Sequence, residues 1–137
     1  MATASAFILD ADRFEIVPGP PYTAADLDYS DPGARCNREQ AAQAMIPLRS
    51  RVVNFESYEL VVLGFPIWFG AIPLAVKSFC KRYDWTGKRV GVFVTGWDEV
   101  DRFTEFLQPY MPGAEIVSVK LFNTPNTPNL QRRLESL

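Results

Sequence analysis

Histidine is absent from the 137-residue sequence. Its absence removes the commonest general base near neutral pH, the commonest zinc ligand, and every Ser-His or Cys-His nucleophile. Cysteine is scarce. Cys36 and Cys80 form no CxxC motif and no disulfide framework, so both are read as reduced thiols. Clustered positive charge is missing as well: 14 Lys and Arg against 16 Asp and Glu give a net charge of -2. Basic residues are grouped no more densely than Lys81-Arg82, Lys88-Arg89 or Arg132-Arg133. Phosphate-backbone binding needs clusters of Lys and Arg, so no nucleic-acid partner is expected. The longest strongly apolar run, Leu60 to Phe69, is about half a bilayer span. No basic region precedes the short apolar run near the start, and no cleavage site follows it. These absences predict a soluble cytoplasmic protein with no membrane partner.

What is present is a core. Hydrophobic residues make up 47% of the chain, enough for one compact domain over residues 1–137 without staples. With no side-chain nucleophile and no metal-ligand set to name, any chemistry is expected to belong to a bound cofactor.

The alternating segment "RFEIV", Arg13 to Val17, reads as a short strand that stops at "PGPP", where amide donors run out. From Pro20 to Pro47 the chain is polar and turn-rich, a long loop or lid with a short helical pattern in "NREQAAQAM". "YELVVLGF", Tyr58 to Phe65, is a near-continuous apolar run of the kind found in parallel strands covered on both faces. Pro73 then opens a helix carrying Ile72, Ala75, Val76, Phe79 and Tyr83 on one face, and "WTGK" ends it. A second buried strand follows at Arg89–Thr95. Asp98 is the expected N-cap of a helix turning Val100, Phe103, Phe106, Leu107 and Tyr110 inward. "EIVSVKLF" is a third strand. The last helix is expected to be capped by Thr127, with Pro128 in its first turn and Leu130, Leu134 and Leu137 facing the core. Alternating strands and helices predict an α/β protein with an open, mainly parallel sheet and helices on both faces. Ligands of such sheets bind beyond the carboxyl ends of the strands. That places the loops after Phe65 and after Thr95 at the site, and the aromatic loop "FPIWFG" where a flat ligand would sit. From composition alone, Trp68 and Phe69 serve equally well as a cover for the end of the sheet.

Three stretches, "FEIVPGPPYTAADLDYSDPGARCNREQ", "YELVVLGFPIWFGAIPLAVKSFCKRYDWTGKRVGVFVTG" and "PGAEIVSVKLF", together resemble the flavodoxin family, in particular a short branch with an F-P-I-W-W-G loop. The resemblance runs from about Asp12 to near the end. It implies a flavodoxin-like fold and an electron-transfer role with FMN as cofactor. By it, Pro66, Ile67, Trp68, Phe69 and Gly70 lie against the isoalloxazine ring, with Trp68 stacking on it. Thr95, Gly96 and Trp97 form the second flavin loop. Arg35, Asn37, Arg38 and Glu39 correspond to a polar segment that caps the site; read without the family, the same segment is a solvated loop held by Asx turns. Cys80 is expected in the core; Cys36, in a polar stretch, is open to an exposed and oxidisable position, although only Arg35 and Arg38 nearby argue for a reactive thiolate.

The sequence departs from the family in two places. Its first strand and the Ser/Thr-Gly loop that cradles the FMN phosphate are expected upstream of Met1, with Ala2 to Leu9 aligning on the last turns of the first helix; roughly 25 to 30 residues make up such a unit. Thr3 and Ser5 do not replace that cradle. In the second flavin loop, Trp97 can still cover a ring, but Asp98, Glu99 and Asp101 would repel a phosphate or an anionic reduced flavin in the same cleft. The fold is therefore expected in N-terminally truncated form, with FMN bound weakly or not at all. A homodimer is expected to form across the gap, burying Phe7, Ile8, Leu9 and Phe14, with Trp68 and Phe69 at the rim. Two further readings stand beside the electron carrier: a flavin-free dimerisation or interaction module, and a flavin-dependent reductase of a small quinone-like substrate.

Overall fold

The structure is a computed structural model that describes residues 10–96, 100, 102–122, 132 and 135–137. In chain order its regular elements are α1 (Arg35–Ala42), β1 (Leu60–Pro66), α2 (Leu74–Cys80), β2 (Arg89–Thr95), α3 (Phe103–Leu107) and β3 (Glu115–Leu121), with one short 3-10 turn before α1 and two between later elements. The strands form one parallel sheet in the order β1-β2-β3.

Register divides the side chains. Val61, Leu63 and Phe65 stand beside Val90, Val92 and Val94, which in turn stand beside Ile116, Val119 and Leu121. Paired residues of parallel strands share a face: Leu63, Phe65, Val90, Val92 and Val94 belong to the hydrophobic core, and Val61, Ile116, Val119 and Leu121, partly buried, pack against it. Onto this face pack Val76, Phe79 and Cys80 of α2 and Phe103 and Leu107 of α3. On the opposite face the Phe93 ring lies against Gly64, and Leu137 lies against Gly91. The expected C-terminal helix, with Thr127, Pro128, Leu130 and Leu134, lies outside the described residues.

Local chemistry trims the predicted helices. Pro73 is the N-cap of α2 rather than part of its first turn, and its carbonyl accepts from Val76 and Lys77. The predicted cap Asp98 lies outside the described residues, and α3 gives way at Gln108 to a 3-10 turn containing Pro109. Proline supplies no amide and clashes with the carbonyl four residues back, so the α-helix stops there. Phe106 lies beside the buried face set by Phe103 and Leu107 rather than on it: its ring meets Phe103 edge-on at 5.8 Å and the residue is 39% exposed.

The predicted strand "RFEIV" is not in the sheet. Residues 11–17 have no strand assignment, and the isolated bridge Pro18–Leu48 is the segment's regular backbone pairing. Phe14 and Ile16 nevertheless pack on the core, with the Phe14 ring 5.8 Å from Phe79. An alternating pattern specifies which residues turn inward, but a strand also needs a neighbour with free donors and acceptors. Between residues 10–18 and β1 lies a cleft of about 1230 Å³, lined further by Val76 and Phe79. Bonds from Arg89 N–H to Glu59 O and from Ile67 N–H to Thr95 O fix the ladder's phase, so odd-numbered β1 residues bond to β2. The amides and carbonyls of Leu60, Val62 and Gly64 therefore point toward the cleft, and among the described strands none pairs with them.

One buried cation secures the entry to β1. Lys88 is 5% exposed, and its Nζ donates to the carbonyls of Phe55 at 3.0 Å, Glu56 at 3.3 Å and Tyr58 at 2.6 Å. These carbonyls belong to the 3-10 turn and its C-cap just before the strand. Lys88→Met keeps the packing volume but leaves the carbonyls without a donor. It is expected to cost about 3 kcal/mol and on the order of 10 °C in Tm, read by calorimetry against the wild-type chain; an unchanged Tm would contradict this role.

Candidate functional site

Parallel strands held in one register end side by side. Pro66 closes β1 beside Thr95, which closes β2, so both following loops leave the same edge of the sheet. They are tied at the root, where Ile67 N–H donates to Thr95 O at 2.8 Å. Ile67 also covers Gly96, where φ is +150° and an added Cβ would stand 3.0 Å from the Ile67 Cβ. Glycine is needed there because the two loops approach so closely.

Trp68 and Ala71 exchange backbone hydrogen bonds of 3.1 and 2.8 Å, which closes a two-residue turn at Phe69–Gly70. Both central residues have positive φ, 53° and 65°, the pattern of a type I′ turn. Glycine adopts it freely, whereas a bulky residue held there stores strain. Phe69 is 44% exposed and meets Tyr29 edge-on at 5.2 Å. The amides of Phe69 and Gly70 make no hydrogen bond among the described residues, so the tip of the turn presents two donors.

Trp68 is half-buried, and its side support comes from the lid. Tyr22 meets it edge-on, with ring centroids 5.8 Å apart and planes at 63°. The Tyr22 hydroxyl donates to Glu39 Oε2 at 2.5 Å. Arg35 Nε donates to Glu39 Oε1 at 2.6 Å, Arg35 also donates to Pro20 O at 2.8 Å, and its guanidinium sits 4.4 Å over the Tyr22 ring. Burial, and then the bond to Glu39, push the Tyr22 phenol well above its ordinary value, so it remains a donor at neutral pH. A small cavity of about 10 Å³ between α1 and the loop, lined by Tyr22, Cys36, Glu39 and Trp68 among others, is close to the size of one water.

The structure therefore brings together Pro66, Ile67, Trp68, Phe69, Gly70, Thr95 and Gly96. Trp97 lies outside the described residues, as do Asp98, Glu99, Asp101, Thr3 and Ser5. The two readings of the polar segment divide it between them. Asn37 donates to the carbonyls of Asp31 and Tyr29, and Arg38 donates to that of Gly33, so both hold the loop. Arg35 and Glu39 reach the site through Tyr22. Cys36 is 4% exposed, which corrects the expectation of a surface thiol: it follows Ala34 on the inner side of α1. Cys80 is fully buried as expected, and burial pushes its thiol up to about 12. Sequence reasoning passed over Tyr22 and Tyr29; their signal was two aromatics in an otherwise polar stretch, spaced to reach the aromatic loop.

The described residues fit one half of a flavin nucleotide. Trp68 and Phe69 offer apolar ring faces, and the free amides beside them offer donors to a carbonyl-bearing ring edge. Among the described residues a phosphate finds no equivalent. The glycine-bearing turn that opens into α1 has its amides taken by Asp31, with Gly33 N–H to Oδ1 at 2.8 Å and Ala34 N–H to the carbonyl at 2.9 Å. An anion there would face a carboxylate.

Among the described residues no group of His, Cys, Asp and Glu is placed to hold a metal ion, and no helix is long and apolar enough to cross a membrane. The family model described as flavodoxin matches residues 1–136. A solved structure from Bacteroides uniformis ATCC 8492, assigned as a flavoprotein, is 28% identical; the match covers 97% of this chain and 86% of that one, with a TM-score of 0.87. Another from Bacteroides eggerthii DSM 20697, also assigned as a flavoprotein, is 24% identical, covers 98% and 86%, and has the same TM-score of 0.87. No curated protein matches. The fold, the paired loops at the carboxyl edge and the match over nearly the whole length lead to one conclusion: the chain belongs to the flavodoxin family.

Proposed function

We propose that the chain is a flavin-binding redox protein whose described residues hold the isoalloxazine ring of FMN rather than its phosphate. The observation that carries this reading is the tie between Ile67 and Thr95, which sets the Trp68–Ala71 turn and Gly96 on one edge of the sheet. A bound flavin supplies one- or two-electron chemistry. The chain's part is to exclude water from the ring with Trp68 and to offer the Phe69 and Gly70 amides to its polar edge. A cytoplasmic location accords with two buried free thiols.

Fluorescence titration with riboflavin and with FMN tests the proposal. Comparable quenching by both is expected, with FMN gaining no more than about threefold in Kd, because a phosphate cradle at a helix N-terminus normally supplies its advantage. Stoichiometric FMN on the purified chain would overturn the half-site, and no quenching by either flavin would overturn ring binding. Trp68→Ala is expected to abolish the quenching and to move Tm by only a few degrees, as for a loop residue. A large loss of stability with unchanged quenching would return Trp68 to the role of a packing residue.

A second reading rests on the open edge of β1 beside the cleft. Unpaired strand edges invite pairing with another chain, and an isologous contact between two copies would cover the same edge in both. Of the residues expected at that interface, Phe7, Ile8 and Leu9 lie outside the described residues, and Phe14 already packs within its own chain. Light scattering at micromolar concentration is expected to give the mass of a dimer; a stable soluble monomer would exclude this reading.

A further inference from the structure

We propose that Tyr22, Glu39 and Arg35 are positioning residues for Trp68, a train of contacts that fixes the indole from the lid; the proposal rests on the reading of Trp68 as the ring-stacking residue. The backbone bridge to Ala71 fixes where the Trp68 Cα stands, but it leaves the torsions of the indole free. Among the described aromatic rings, Tyr22 is the one in contact with Trp68.

Tyr22 is itself held at both ends. Its hydroxyl is bonded to Glu39 at 2.5 Å, and the Arg35 guanidinium lies 4.4 Å over its ring. Arg35 and Glu39 stand one turn apart on α1, and their side chains are 14% and 18% exposed. A pair so shielded from solvent holds its geometry better than an open surface ion pair. Arg35 also donates to Pro20 O, so one guanidinium clamps the backbone that enters the Tyr22 segment, the carboxylate that accepts from the phenol, and the ring itself. The rest of the described lid is tied chiefly through its backbone: Asn37 donates to the carbonyls of Tyr29 and Asp31, and the Asx turns at Asp28 and Asp31 close on their own neighbours. On this account the lid does more than shelter the aromatic loop, because it sets the plane that a flat ligand meets.

The test uses the whole chain with 15N-labelled tryptophan, reading the indole N–H signals by NMR. Trp68 is assigned through Trp68→Phe, and the buried Trp85 serves as a monitor of the fold. In Tyr22→Leu and Glu39→Ala, the Trp68 signal is expected to move and broaden while that of Trp85 stays in place. Riboflavin Kd is expected to rise about two- to tenfold, the range an aromatic contact commands. Glu39→Gln, which still accepts from the Tyr22 hydroxyl but loses the ion pair, is expected to fall between these variants and the wild type. An unmoved Trp68 signal in both truncations, with Trp85 also unmoved, would overturn the proposal. If a truncation also displaces Trp85, the decision passes to Tyr22→Phe, which keeps the ring and loses only the bond to Glu39; an unmoved Trp68 there overturns the proposal equally. Failure of riboflavin to bind the wild type would count against the flavin reading alone, because the indole signal reports the positioning without ligand.

Discussion

Everything at the candidate site depends on the parallel ladder between β1 and β2. Seven residue pairs, from Leu60–Arg89 to Pro66–Thr95, run without a shift. A parallel pair without slippage ends flush, and that flush end lets Ile67 bond to Thr95 and lie over Gly96. A one-residue slip would turn Leu63 and Phe65 out of the core. The core therefore fixes the register, and the register fixes the site. Lys88 serves the same end from below, since it anchors the turn from which β1 departs.

The sheet, α2 and the order of elements were legible because their signals are local. Apolar runs bounded by glycine and proline mark β1 and β2, and Pro73 marks the start of α2. The aromatic loop was legible as a place, two large rings beside a glycine at the end of a strand, but its composition alone left a ligand-facing role and a cover for the end of the sheet equally open. "RFEIV" failed for a reason its own residues do not carry. Alternation records which face is buried, and Phe14 and Ile16 are indeed turned inward, but a ladder needs an adjacent strand. The pairing of Tyr22 with Glu39 was hidden in another way: Glu39 stood out in the polar segment, but its partner is 17 residues away and only the fold of the lid brings the two together beside Trp68.

Two features of the structure concern the same aromatic loop. Phe69 is held at positive φ although glycine would sit there at no cost. The lid invests a shielded ion pair and a short phenol–carboxylate bond in the support of one indole. Both features sit at the same edge, and both concern the presentation of aromatic surface. The edge of β1 away from β2 is of a different kind: among the described strands none pairs with it, and it lines the cleft beside residues 10–18.

The central claim is that the paired loops hold a flavin ring at the carboxyl edge of the sheet. Amide chemical shifts of the full chain, recorded during titration with riboflavin, test it most directly. The account predicts saturable shifts that converge on Ile67 to Ala71, on Thr95 and Gly96 and on Tyr22, with β3 and the Lys88 turn silent. Shifts centred instead on the cleft between residues 10–18 and β1, or none at saturating riboflavin, would contradict it.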